Sequence, residues 1–175
     1  MSDNQVELAK TPLSSKEIKA EASRLGFSAC GVAPAEKVNE TASAALCHWL
    51  SAGMQSGMNY MNNYLDKRLD PRLLMEGTQS IISVALNYYP SKFLKKDQYQ
   101  FAWYAYGKDY HDVMKAKLNE LLAFITTLTP LPLQSRTFCD TAPVLERYWA
   151  WRTGLGWIGK NTQLIIPHAG SCFFL

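Results

Sequence analysis

PVLERYWAWRTGLGWIGKNTQLIIP, residues 143–167, is the stretch whose reading decides the fold. At its centre GLGWIGKN (154–161) reads as G-x-G-x-x-G through Gly154, Gly156 and Gly159. It is also a near match to the phosphate loop G-x-x-x-x-G-K-[ST], with Asn161 where Ser or Thr belongs. Either motif needs a strand running in and a helix running out, its N-terminus aimed at the phosphates. Here the order is reversed. Running in, PVLERYWAWRT reads as a helix: Pro143 suits a first turn, Glu146 and Arg147 are good helix formers, and no glycine interrupts before Gly154. Running out, TQLIIP is short, apolar and β-branched, and reads as a strand. Trp157 and Ile158 are also bulky for a loop that must wrap phosphates with bare backbone. The spacing therefore predicts a helix closed at Gly154 and a tight turn into a strand. A nucleotide site at 154–161 remains a competing reading, which retained affinity for ATP or NAD would support.

Outward from that stretch, SSKEIKAEASRLGF predicts a helix, with Ser14 and Glu17 as a capping box, Ile18, Ala22 and Leu25 on one face, and Gly26 as its stop. FSACGVA follows as a short strand. TASAALCHWLSAG predicts a helix ending at Gly53, and GMNYMNNYLDKRLDP a shorter one stopped before Pro71. SIISVALNYYP, apolar along nearly its whole length, predicts a central strand. QFAWYAYG reads as an aromatic strand, and DYHDVMKAKLNELLAFITTL as a long amphipathic helix with Val113, Leu118, Leu121, Leu122 and Ile125 inward. QSRTFC reads as a strand, and QLIIP and SCFFL as a hairpin across HAG. Helices and strands mix without strict alternation, so the expected class is α+β: a mixed, partly antiparallel sheet flanked by helices, in one domain over 1–175.

The 175 residues are 47% hydrophobic and 19% charged, with net charge +3, an ordinary soluble composition that permits an acidic partner without arguing for one. No apolar run approaches the ~18 residues of a membrane span, and the polar start MSDNQVELAK lacks a signal-peptide core. The four cysteines (Cys30, Cys47, Cys139, Cys172) form no C-x-x-C, and His48, His111 and His168 show no metal-ligand spacing, so no metal site is expected from local ligands. Buried free thiols in a reducing cytoplasm are the expectation. GSCFFL, ending on apolar residues, reads as a docked strand or as a piece of a longer protein, with the second reading favoured.

Asp140 stands out among the carboxylates. It follows Phe138 and Cys139 and precedes a Pro-started helix. An apolar enclosure there would raise its pKa toward that of a proton donor, whereas the bland role is a helix cap for Asp140 or Thr141. Arg147 lies seven residues on, on the same helical face, where it would hold an anion or a cofactor, or make a surface ion pair. YGKDYHD (106–112) places Asp109 as an N-cap, and DKRLDPR carries Arg68 and Arg72 in a charged turn.

LDPRLLMEGTQSIISVALNYYP, YAYGKDYHDVMKAKL and DTAPVLERYWAWRTGLGWIGKNTQLIIPHAGSCFFL, in this order and spacing, resemble the N-terminal half of epoxyqueuosine reductase. The resemblance implies reduction of the epoxide of epoxyqueuosine at the tRNA wobble position, on a nitroreductase-like core that binds cobalamin. It implies Asp140 as proton donor and Arg147 beneath the corrin. Together with Asp140 and Arg147, Arg68, Ala102, Tyr106, Lys160, Asn161 and Leu164 are implied to make up the cobalamin-binding surface. It implies tRNA and an external electron donor as partners, no membrane, and a cytoplasmic monomer. Family members continue into a ferredoxin-like segment with two [4Fe–4S] clusters, whose cysteine runs have no counterpart here. The chain then reads as a cobalamin-binding fragment, inactive alone. A stand-alone corrinoid-binding module without redox chemistry is the alternative. Lys92, Lys95, Lys96 and Lys108 carry no clear claim on the tRNA.

Overall fold

The computed structural model describes residues 13–175, so the polar start of the chain lies outside the described residues. In chain order the elements are α1 (Ser15–Arg24), β1 (Ala29–Pro34), α2 (Glu40–Ser51), α3 (Leu65–Leu69), β2 (Ser80–Asn87), α4 (Tyr110–Thr127), α5 (Glu146–Arg152), β3 (Trp157–Ile158), β4 (Leu164–Ile165) and β5 (Phe173–Phe174). Single 3-10 turns occupy Asn59–Asn62, Pro71–Leu73 and Trp103–Ala105.

β2 is the middle strand, as its continuous apolar run predicts. It pairs antiparallel with β1 from Ala29 opposite Ala85 to Pro34 opposite Ser80, and with β5 at Leu86–Phe174 and Asn87–Phe173. Strand side chains alternate between faces. Val84, with Ile82 and Leu86, faces α1 and α4 in a core of Ile18, Ala22, Phe27, Met114, Leu121 and Ile125. Ala85 faces the other way, against Ala150 of α5 and Leu155, Leu164 and Ile166. Where β1 and β2 meet α5 on that face the residues are small, Gly31, Ala85 and Ala150. A Cβ on Gly31 would lie 2.3 Å from the Thr153 carbonyl oxygen, so β1 lets the end of α5 approach as only glycine allows. Every strand pairing among the described residues is antiparallel.

Several expectations are corrected. QFAWYAYG is not a strand: Ala102 and Tyr106 flank a 3-10 turn, and Phe101, Trp103 and Tyr104 are exposed. Its aromatic residues suit a pleated surface, but no strand edge lies beside them, and Trp103 packs on Tyr89 and Phe93 instead. QSRTFC is also irregular. It shares a cavity of about 980 Å³ with the outer edge of β2 and does not hydrogen-bond to it. QLIIP and SCFFL do not pair. β4 returns on β3, and β5 leaves for β2 beyond a turn closed by the Ile166–Gly170 bridge. Ser14 makes no side-chain cap on α1, whereas Asp109 does cap α4. Met114, fully buried, was missed on the inner face of α4. Cys47 is exposed, and only Cys139 is fully buried, its thiol pushed up to about 12 first by burial and then by the neighbouring carboxylates.

Candidate functional site

GLGWIGKN is a helix stop and a hairpin, not a phosphate cradle. Gly154 takes φ +81°, and two bonds close α5: Leu155 N–H donates to the Ala150 carbonyl at 3.0 Å and Gly154 N–H to that of Trp151 at 3.0 Å. This is a Schellman ending, which needs a left-handed residue and so selects glycine. A Cβ on Gly156 would stand 2.1 Å from the Ile165 carbonyl oxygen, and one on Gly159 2.6 Å from the Ile165 Cδ1. At Gly156 the obstacle is the backbone of β4 itself, whereas at Gly159 it is only the side chains of Ile165 and Asn161. No helix N-terminus follows these glycines, so the nucleotide reading loses its phosphate-binding element.

Beside this hairpin the DTAPVLER segment forms a tight turn. α5 begins only at Glu146, with Leu145 as an N-cap that offers no side-chain bond, so neither Asp140 nor Thr141 caps it. Asp140 has φ +55°, a left-handed conformation that costs a non-glycine residue of order 1 kcal/mol or more, least for Asp and Asn. Two hydrogen bonds hold it there. Its backbone N–H donates to Glu146 Oε1 at 2.8 Å, and its Oδ2 accepts from the Tyr110 hydroxyl at 2.5 Å. Tyr110 opens α4 and is itself clamped, stacked on Phe174 of β5 at 4.2 Å and on His111 at 4.0 Å. Two elements therefore hold Asp140, α4 at its carboxylate and α5 at its backbone, with β5 bracing Tyr110.

The apolar enclosure expected for Asp140 is absent, since the residue is exposed. The carboxyl that is withdrawn from solvent is the half-buried Glu146. Burial, the largest cause, pushes it up to about 7; the Asp140 N–H and Arg147 pull it down, and the Asp140 charge adds to the rise. The Tyr110 hydroxyl is held well above the ordinary tyrosine range, first by burial and then by its bond to Asp140. Neither Glu146 nor Tyr110 was singled out from sequence, although both lie inside quoted motifs. The missing signal is spatial: Glu146 reaches six residues back, and Tyr110 meets Asp140 across thirty.

Of the other expected residues, Arg147 is brought to the hairpin. Its Nη1 donates to the Thr162 carbonyl at 2.5 Å, tying α5 to the turn that carries Lys160 and Asn161. Lys160 and Asn161 are exposed, and Asn161 Oδ1 accepts from Gln163 N–H at 3.2 Å, shaping the turn. Leu164 is 4% exposed and its side chain belongs to the core, leaving only its backbone for any ligand. Ala102 and Tyr106 lie just before α4, on the same stretch as Tyr110. Arg68, on α3, is not joined to the Asp140 turn by any hydrogen bond or ion pair among the described residues. It is 9% exposed, and its Nε has no hydrogen-bond partner there. The neighbouring Leu69 packs with Tyr148 and Trp149 of α5, which brings α3 against the same helix.

Fold and site together define an α/β domain that presents one carboxylate from a clamped turn beside a glycine-tightened hairpin. A family model described as epoxyqueuosine reductase QueG, DUF1730, matches residues 68–141. An epoxyqueuosine reductase of Cellulophaga algicola is 47% identical over 158 residues, 90% of this chain and 51% of the relative. A crystal structure of epoxyqueuosine reductase with an epoxyqueuosine-modified tRNA-Tyr stem loop superposes with a TM-score of 0.80 at 28% identity, covering 91% of this chain and 43% of that one. A structure of the Bacillus subtilis epoxyqueuosine reductase, its catalytic aspartate loop swung out of the active site, gives 0.75 at 28% identity, covering 91% and 42%. Over about nine tenths of its length the chain is similar to epoxyqueuosine reductases, and it spans about half the length of the relatives it matches.

Proposed function

We propose that this chain is the cobalamin-binding part of an enzyme that reduces the epoxide of epoxyqueuosine in tRNA to queuosine, with Asp140 as proton donor. The observation that carries this reading is the Asp140 turn: an exposed carboxylate held in a left-handed conformation by Glu146 and Tyr110. A side chain that merely capped a helix would need no such clamp. Removing an epoxide oxygen as water takes two electrons and two protons. Asp140 gives one proton to the departing oxygen, and Tyr110, hydrogen-bonded to its Oδ2, fixes the direction in which the carboxyl points.

Cobalamin, when bound, supplies the reduced cobalt that opens the strained ring. The residues present suit such a group. A corrin is a flat, half-apolar disc rimmed with amides. The buried Arg68 Nε is a donor without an acceptor, which an amide oxygen would satisfy. Lys160 and Asn161 offer polar groups from the turn that Arg147 braces, Leu164 offers backbone, and the stretch from Ala102 to Tyr106 offers aromatic surface. Electrons come from [4Fe–4S] clusters outside this chain, fed by an external donor. Among the described residues no group of three or more His, Cys, Asp or Glu is placed to hold a metal ion.

Asp140→Asn tests the assignment in a chain of the relatives' full length, assayed on epoxyqueuosine-containing tRNA with a chemical reductant. Loss of a proton donor should lower turnover by roughly 10²–10⁴-fold while the cobalamin spectrum is retained. Full turnover in that variant sinks the role. In this chain, titration with cob(II)alamin should shift the visible spectrum, and Arg68→Ala should weaken the binding at least tenfold.

A further inference from the structure

We infer that Glu146 is the positioning residue of the site: its carboxylate grips the backbone N–H of Asp140 and so sets the turn from which the Asp140 carboxyl is presented. The consequence for catalysis rests on the role proposed for Asp140; the structural claim does not. Asp140 is exposed and carries φ +55°, so packing does not hold it. What holds it is one bond at each end of the residue, Tyr110 at the side chain and Glu146 at the backbone. The Tyr110 bond fixes only where the carboxyl rests. The Glu146 bond fixes the peptide itself, because an acceptor 2.8 Å from that N–H is lost if the turn flips.

The location of Glu146 suits this task. It is the first residue of α5, and the helix is anchored behind it by Tyr148 and Trp149, 6% and 1% exposed. The carboxylate is therefore a fixed post and the turn the part that depends on it. A charged acceptor in a partly buried setting makes a stronger bond than a neutral one. The grip should then tighten as Glu146 ionises. The groups that bear on that ionisation are Asp140 on the turn and Arg147 on α5, while Tyr110 of α4 and Cys139 sense the Glu146 charge in return. Arg136 lines the same cavity as Glu146, and its guanidinium is engaged by the Leu74 carbonyl. The neighbouring β2 positions, Ile81 and Ser83, bring no charge.

The test is backbone NMR of the 15N-labelled chain. In the unmodified protein the Asp140 amide proton should titrate with a midpoint near pH 7, moving downfield as Glu146 ionises. Glu146→Ala should speed hydrogen exchange at Asp140 at least tenfold, with core amides such as Val84 and Leu121 changing less than twofold. Glu146→Gln keeps an acceptor and should restore most of the protection while abolishing the titration. An Asp140 amide that does not follow the ionisation of Glu146 overturns the inference without any variant. So does equal loosening of all amides in Glu146→Ala, or no recovery in Glu146→Gln. In the full-length enzyme, Glu146→Ala should lower kcat at least tenfold with KM little changed. If the amide behaves as expected but Asp140→Asn turns over normally, the grip stands and the proton-donor role falls. If Asp140→Asn is dead and the amide is indifferent to Glu146, the reverse holds.

Discussion

At the scale of single residues, the glycines of GLGWIGKN show how one motif can serve quite different ends. Gly154 is needed for its left-handed φ, whereas Gly156 is needed for the 2.1 Å that separates its absent Cβ from a carbonyl oxygen. Gly156→Ala must push β4 away from β3, and since the obstacle is backbone, the cost should be about 1–3 kcal/mol. Urea denaturation would show this as a lowered midpoint at unchanged m. Gly53→Ala, where a Cβ meets nothing within 4 Å, is the comparison: its penalty is confined to φ +68°. Asp140 was legible as a candidate because DTAPVLER is distinctive. Its partners were not, since hydrogen bonds to residues six and thirty positions away leave no local period to read.

At the scale of elements, β2 carries a built-in asymmetry. The Ala35 N–H donates to the Gln79 carbonyl on the β1 side, and the Tyr88 N–H to the Cys172 carbonyl on the β5 side. Alternation along the strand then turns the backbone N–H groups of Ile81, Ser83 and Ala85 toward β1, and those of Ser80, Ile82 and Val84 toward the opposite, open edge, where β5 does not reach them. Amide exchange measured residue by residue should follow that alternation, slow at Ile81 and Ser83 and at least tenfold faster at Ile82. Uniform protection along β2 would show the outer edge to be covered. Met114→Ala, at a site with 0% exposure between α4 and the sheet, should cost roughly 2–5 kcal/mol, read from a thermal or urea melt. α1, α4, β1 and β2 were visible in the sequence because each buries a face with its own period. QFAWYAYG and QSRTFC misled because strand propensity is only a readiness to pair: no strand edge lies beside the first, and a cavity separates the second from the open edge of β2.

At the scale of the whole molecule, Glu146 couples the site to stability. Its folded value of about 7 lies above the 4.5 of the free side chain, so burial favours the neutral acid. Its contribution to stability is complete below about pH 4.5 and is lost as pH rises through about 7, a change of roughly 3 kcal/mol. Glu146→Gln should remove that dependence and melt higher than the unmodified protein above pH 7, with the two converging toward pH 5. Parallel curves across that range would mean that Glu146 ionises normally. The site is thus held by a group whose ionised form strengthens one hydrogen bond at the expense of the fold.

What the sequence determined by itself was the mixed class, the central place of SIISVALNYYP, the stop at Gly154 and the resemblance to epoxyqueuosine reductases, because these rest on periodicity, turn chemistry and motif order along the chain. No helix among the described residues is long and apolar enough to cross a membrane, in keeping with the hydropathy. Only the tertiary structure decided which strand SCFFL joins, that the Leu164 side chain is core, that Asp140 is open to solvent, and that the half-buried acid is Glu146. Each of these depends on which surfaces meet after the chain has closed on itself. Burial, and with it the pKa of a carboxyl group, is a property of neighbours in space, and a linear sequence does not state them.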